Sequence, residues 1–210
     1  MKKLLKEYIK YIIKEHGLLD KYAFADERDN VPSEPNNYTE ENLLRDVLAY
    51  LNGNFQIQQN SVDMIKGFLN SNEYSDIFVK PNVDVVYRGL FMNPESASKI
   101  IGITPDKFKV KMGKHDGVIT LHPRDGIVSS WSKNFSTALN FGRNELIKNG
   151  SEEDIIFLFK AAVSDNEGSM LDLRELYKLN NRILNAASNE EEVFCFGPVR
   201  INQVKWYQKF

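Results

Sequence analysis

The sequence predicts an α+β fold, a single domain of 210 residues. Three observations carry this reading. Apolar residues recur at helical spacing through about the first 75 residues. From residue 83 onward, short β-branched and aromatic runs take over. In that second part strands and helices do not alternate one for one, as a doubly wound parallel sheet requires. No repeat, low-complexity tract or linker divides the chain, and its length is ample for a core.

The elements follow in order. Leu4, Leu5, Tyr8, Ile9, Ile12 and Ile13 form the stripe of an amphipathic helix that ends near Gly17. Residues 26–38, with Pro32, Pro35, Asn36 and Asn37, read as a polar loop. Thr39 can cap a second helix, with Glu40 and Glu41 favourable in its first turn. Leu43, Leu44, Val47, Leu48 and Leu51 would be its buried stripe, with Gly53 just past its end. A third helix is expected from Ser61 through Ile65, Phe68 and Leu69.

The β-rich part opens with a strand over 83–87. Asn93-Pro94 then reads as the N-cap and first residue of a short helix. Phe108, Val110 and Met112 alternate with lysines, as on a half-exposed strand. Further strands are expected over 118–121 and 127–131, a helix over 136–148, and a buried strand over the apolar run 155–163. A helix over 171–184 and closing strands over 193–196 and 199–204 complete the list.

Composition narrows the function. A formal net charge of −2 gives no bulk electrostatic case for nucleic acid or a membrane surface. Lys6, Glu7, Lys10, Lys14 and Glu15 interrupt the N-terminal apolar residues too early for a signal peptide, and no stretch approaches the roughly 20 apolar residues of a membrane helix. Cys195 is the single cysteine, so no internal disulfide can form. A soluble, cytoplasmic protein is expected. His16, His115 and His122 are not at zinc spacing, so no metal is expected. The phosphate-binding glycine loops and the GxSxG nucleophile elbow are missing.

Three short pieces remain: Tyr87-Arg88-Gly89, Ser130-Trp131-Ser132 and Glu190-Glu191-Glu192. Arg88 ends an apolar run, and an arginine fork matches phosphate or carboxylate geometry. Gly89 beside it would allow close approach to the backbone. Ser130 and Ser132 could orient a carboxylate or a ligand. Phe141, eleven residues after Ser130, could return on the following helix to stack on a flat group. On an extended segment Glu190 and Glu192 share one face and Glu191 takes the other. Paired carboxylates can divide two tasks, stabilising a cationic sugar carbon and accepting a proton. Taken singly, each piece reads better as a surface arginine, a strand end and helix cap, or a solvated acidic turn.

Taken in order, Arg, then Ser-x-Ser with a downstream Ala138-x-x-Phe141, then Glu-x-Glu-Val, the pieces resemble the mono-ADP-ribosyltransferases of the Arg–Ser–Glu class. The short enzymes of tailed bacteriophages that modify host proteins look closest. The resemblance covers residues 83–205 as a catalytic core and leaves residues 1–75 as a helical lead-in. It implies a split β-sandwich with flanking helices and NAD⁺ as a substrate, with no metal. The acceptor would be an arginine of a target protein, in the host cytoplasm if the chain is phage-encoded. By the same resemblance Arg88 would hold the diphosphate and ribose side of NAD⁺, with Gly89 bonding the nicotinamide amide. Ser130 would position Glu192, Ser132 would support the strand end and Phe141 would stack on nicotinamide. Glu192 would bind the ribose 2′-hydroxyl and stabilise the oxocarbenium-like transition state, and Glu190 would orient and help deprotonate the acceptor. Arg143 is a second phosphate candidate, and the loop 185–189 would face the target. The family often has Ser-Thr-Ser where this chain has Ser130-Trp131-Ser132. The alternatives are an NAD⁺ glycohydrolase, a transferase acting on another acceptor such as nucleic acid, or a non-catalytic binding protein.

Overall fold

A computed structural model describes residues 38–51, 59–71, 76–123, 127–179 and 191–208. The helix expected over the N-terminal apolar stripe, nearly all of the loop 26–38, Gly53, the loop 185–189 and Glu190 lie outside the described residues. What is described is α+β. Seven strands form one sheet in the order β2-β7-β4-β1-β3-β6-β5. They are β1 (Val85–Met92), β2 (Met112–Leu121), β3 (Val128–Ser132), β4 (Ile155–Ala162), β5 (Met170–Asp172), β6 (Glu192–Phe196) and β7 (Val199–Tyr207). All the pairings between them are antiparallel.

Among the described residues five α-helices accompany the sheet: α1 (Glu40–Leu51), α2 (Gln59–Asn70), α3 (Pro94–Ile101), α4 (Phe135–Asn149) and α5 (Arg174–Leu179). Local chemistry fixes their starts. The Thr39 hydroxyl accepts from the Asn42 amide at 3.3 Å, and the Asn42 side chain accepts from the Thr39 amide at 3.0 Å, a reciprocal cap. Asn93 caps α3 by accepting from the Ser96 amide at 2.8 Å, with Pro94 at the first helical position. Asn134 caps α4 by accepting from the amides of Ser136 and Thr137.

Two buried clusters lie on opposite faces of the sheet. The outer one packs Leu43, Val47, Val62, Ile65, Phe68 and Leu69 of α1 and α2 against Val128, Leu171, Phe194 and Phe196 of β3, β5 and β6. The inner one takes residues from all seven strands, among them Leu121, Trp206, Phe157, Val86, Trp131, Cys195 and Met170. Ala97 and Ile101 of α3 and the ring of Phe108 close it. β4 is buried on both faces because α4 covers its outer side, which explains its continuous apolar run.

The sheet has a seam. β1 pairs with β4 along eight residues, Val85↔Ala162 through Met92↔Ile155, but with β3 only through Tyr87↔Ser132. The seam divides a long-stranded wing, β2-β7-β4-β1, from a short-stranded wing, β3-β6-β5.

Two expectations are corrected. Phe108 lies not on a strand but in a 3-10 turn, Pro105–Lys109. Pro105 starts that turn, and Phe108 is driven edge-on between Phe157 and Trp206, at 5.2 Å from each ring. Val110 is 52% exposed, Met112 opens β2, and the apparent alternation was coincidence. The helix expected over 171–184 begins later: Leu171 pairs with Phe194 in β5, and Asp172 accepts from the Arg174 amide at 3.0 Å, which fixes the helix start there.

Candidate functional site

The site is built across the seam. Residues paired side by side across antiparallel strands share a face, which puts Lys160, Tyr87, Ser132 and Glu192 in one row on the outer side. Ser130, two residues before Ser132, shares that side; it is paired with Phe194 of the outer cluster. The Ser130 hydroxyl donates to Glu192 Oε1, a contact between residues 62 apart in sequence.

Arg88 leaves β1 on the other side, in line with Val86 of the inner cluster. Its charge is felt at Cys195: burial pushes that thiol up, and the Arg88 guanidinium offsets part of the rise. From there the guanidinium reaches the seam, where Nη1 donates to the Ser130 carbonyl at 2.8 Å. It supplies a hydrogen bond just where the β1–β3 ladder stops. Ser130 is therefore gripped twice, its backbone by the arginine and its side chain by the carboxylate. Both contacts are half-buried, so one residue links the cation to the carboxylate.

The three neighbouring serines have separate partners. Ser129, buried, accepts from Trp131 Nε1 at 2.8 Å, and the indole fills the inner core. Ser132 accepts from the Asn134 amide at 3.0 Å and so turns the chain into α4. Ser130 meets the Glu192 carboxylate.

Gly89 also has a packing reason. A Cβ there would sit 2.0 Å from the Ala138 carbonyl oxygen and 3.1 Å from the Gly142 nitrogen, so the residue is small because α4 lies against it. Phe141 is on α4 and 53% exposed. Arg143 is on α4 as well. It lies near Tyr207, whose hydroxyl burial pushes up and Arg143 partly holds down. Tyr207 pairs with Ile156, four residues along β4 from the Lys160–Tyr87 row.

Glu190 lies outside the described residues, and the strand opens at Glu192. Glu191 before it has φ of 47°, in the left-handed region. A non-glycine residue there carries strain on the order of 1 kcal/mol and is held by its surroundings. The Glu191 carbonyl accepts from the Lys133 amide at 3.1 Å, and the Glu192 carbonyl from the Leu173 amide at 3.1 Å.

Sequence reasoning missed a charged pair beside the site. Lys133 Nζ meets Asp172 Oδ2 at 3.0 Å, with the carboxylate fully buried and the lysine 9% exposed. Arg174 stands 3.6 Å from the same oxygen. The signal available was Asp172 between Leu171 and Leu173, a lone acid in an apolar run. Among the described residues no group of three or more His, Cys, Asp or Glu side chains could hold a metal ion, and no helix is long and apolar enough to cross a membrane.

A scan against protein-family models gives no match for this chain, and searches of curated proteins and of solved structures give none either.

Proposed function

We propose that this chain is an NAD⁺–protein-arginine mono-ADP-ribosyltransferase built on a split β-sandwich, with the seam between its wings as the binding cleft. The observation that carries the reading is the double grip on Ser130, by Arg88 and by Glu192, which joins the three sequence pieces. A dinucleotide needs a cation for its diphosphate and a carboxylate for the ribose whose glycosidic bond breaks. In this reading the gripped serine links those two groups across the seam.

In this mechanism Glu192, oriented by Ser130, accepts a hydrogen bond from the ribose 2′-hydroxyl and stabilises positive charge growing at C1′. The C1′–nitrogen bond breaks and nicotinamide leaves as a neutral molecule. Phe141, exposed on α4, stacks on the nicotinamide ring, and the Gly89 backbone bonds its amide. Ser132 steadies the strand end. Arg88 holds the diphosphate, with Arg143 as a more distant second contact. An arginine nitrogen of the target attacks C1′, and its proton passes to Glu190.

The test is mass spectrometry of lysate proteins treated with the protein and NAD⁺. Arginine-linked ADP-ribose is expected. Glu192→Gln should lower NAD⁺ cleavage by roughly 10²–10⁴-fold, the scale of a positioned acid–base group. Free ADP-ribose without labelled protein would assign a glycohydrolase, label on nucleic acid another acceptor, and no NAD⁺ consumption a binding protein. Near-normal transfer by the Glu192 variant sinks the reading.

A further inference from the structure

We propose that the Lys133–Asp172 ion pair is a positioning device for Glu192, a buckle passing behind the strand that carries it. This rests on the transferase reading above for its catalytic consequence, but its geometry stands apart from it. β6 lies between β3 and β5. Lys133 directly follows Ser132, the partner of Glu192 on β3, and Asp172 is the partner of Val193 on β5. The 3.0 Å contact between their side chains therefore spans β6 at residues 192–193. It does so on the side of Val193, opposite the Glu192 carboxylate.

Backbone bonds from the same two segments hold the same point. The Lys133 amide binds the Glu191 carbonyl, and the amide of Leu173, next to Asp172, binds the Glu192 carbonyl. Between them sits the left-handed Glu191, which directs the chain into β6. A conformation of that kind persists only where its surroundings over-determine it. Two strand ends drawn together by a buried ion pair supply that constraint. A pair so buried is a poor source of net stability, and its best-attested use elsewhere is to fix one arrangement among several. Here the arrangement fixed is the entry angle of the carboxylate that meets Ser130.

The experiment compares the parent with Lys133→Met/Asp172→Leu, which removes both charges of the pair and leaves the half-exposed Arg174 to Glu175, and with Lys133→Arg, which keeps the pair. Folding is checked by circular dichroism and urea denaturation. The double variant should remain folded while kcat for NAD⁺ cleavage drops about 10–100-fold, the scale of a displacement near 1 Å, with KM within about threefold of the parent. Amides of residues 191–196 should exchange hydrogen about tenfold faster while those of β4 keep the parent rate. Lys133→Arg should recover most of both. Should the double variant misfold, Asp172→Asn is read by the same two measurements. A folded variant with parental kcat and parental exchange at 191–196 overturns the buckle. If the parent itself leaves NAD⁺ intact, the transferase reading falls, and the exchange rates alone still decide the buckle.

Discussion

The two wings of the sheet are built unequally. The wing that carries Arg88 has strands of eight to ten residues, paired along their length and covered by α4 and α3. The wing that carries Ser130 and Glu192 has strands of three to five residues and relies on α1 and α2 for its outer cover. They share the inner core but meet along the sheet at one residue pair and one arginine–carbonyl bond. The difference teaches where rigidity is placed. The long wing is a platform, and the short wing is a set of clamps around one carboxylate. A site across such a seam takes its cation from the platform and its carboxylate from the clamps.

The comparison breaks most readily at the cores. Phe159→Ala removes a fully buried ring from the cluster common to both wings and should cost about 3–5 kcal/mol, in one cooperative urea transition. Phe68→Ala empties only the cover of the short wing. Its loss should show first as faster amide exchange in β5 and β6, with β4 protected. Equal acceleration of all three strands would erase the distinction between platform and clamps.

A smaller effect is expected at the helix that covers the platform. Gly89→Ala places a methyl against the Ala138 carbonyl and should destabilise by roughly 1–3 kcal/mol, the range for overpacking. Measured by urea denaturation, an unchanged midpoint would mean that α4 can shift at no cost.

Least of all is the alkaline response, which samples both wings. Cys195 in the short wing and Tyr207 in the long one both have acidities weakened mainly by burial. For an acid whose pKa is raised on folding, the folded chain holds its proton to higher pH than the unfolded chain. Stability is then intact below the unfolded value and declines as pH climbs through the folded one. Thermal melts should therefore hold steady to about pH 8 and fall beyond it, the thiol acting before the phenol. Cys195→Ala should remove the earlier part of the decline.

Much of the frame was legible in the sequence because it rests on local chemistry. Thr39 and Asn93-Pro94 cap the helices they precede, and the apolar run from Ile155 is the strand buried on both faces. Phe108 was misread because three apolar residues in alternation can arise by chance, and only Phe157 and Trp206, distant in sequence, decide where that ring goes. Leu171 was read as helical because the acid beside it could not be known to cap the next turn. At the site, residue order picked out Arg88, Ser130 and Glu192, which two hydrogen bonds join. The arginine's bond to a backbone carbonyl, the turn at Glu191 and the Lys133–Asp172 pair were invisible, since each depends on segments that meet only in the folded chain.

Cys195 adds a practical consequence. It is the chain's single thiol, fully buried in β6 beneath Arg88. A thiol reagent can reach it only when the protein opens there, so the rate of trapping counts openings of the short wing in unmodified protein, with no label introduced. The molecule carries its own clock, set in the strand that bears Glu192.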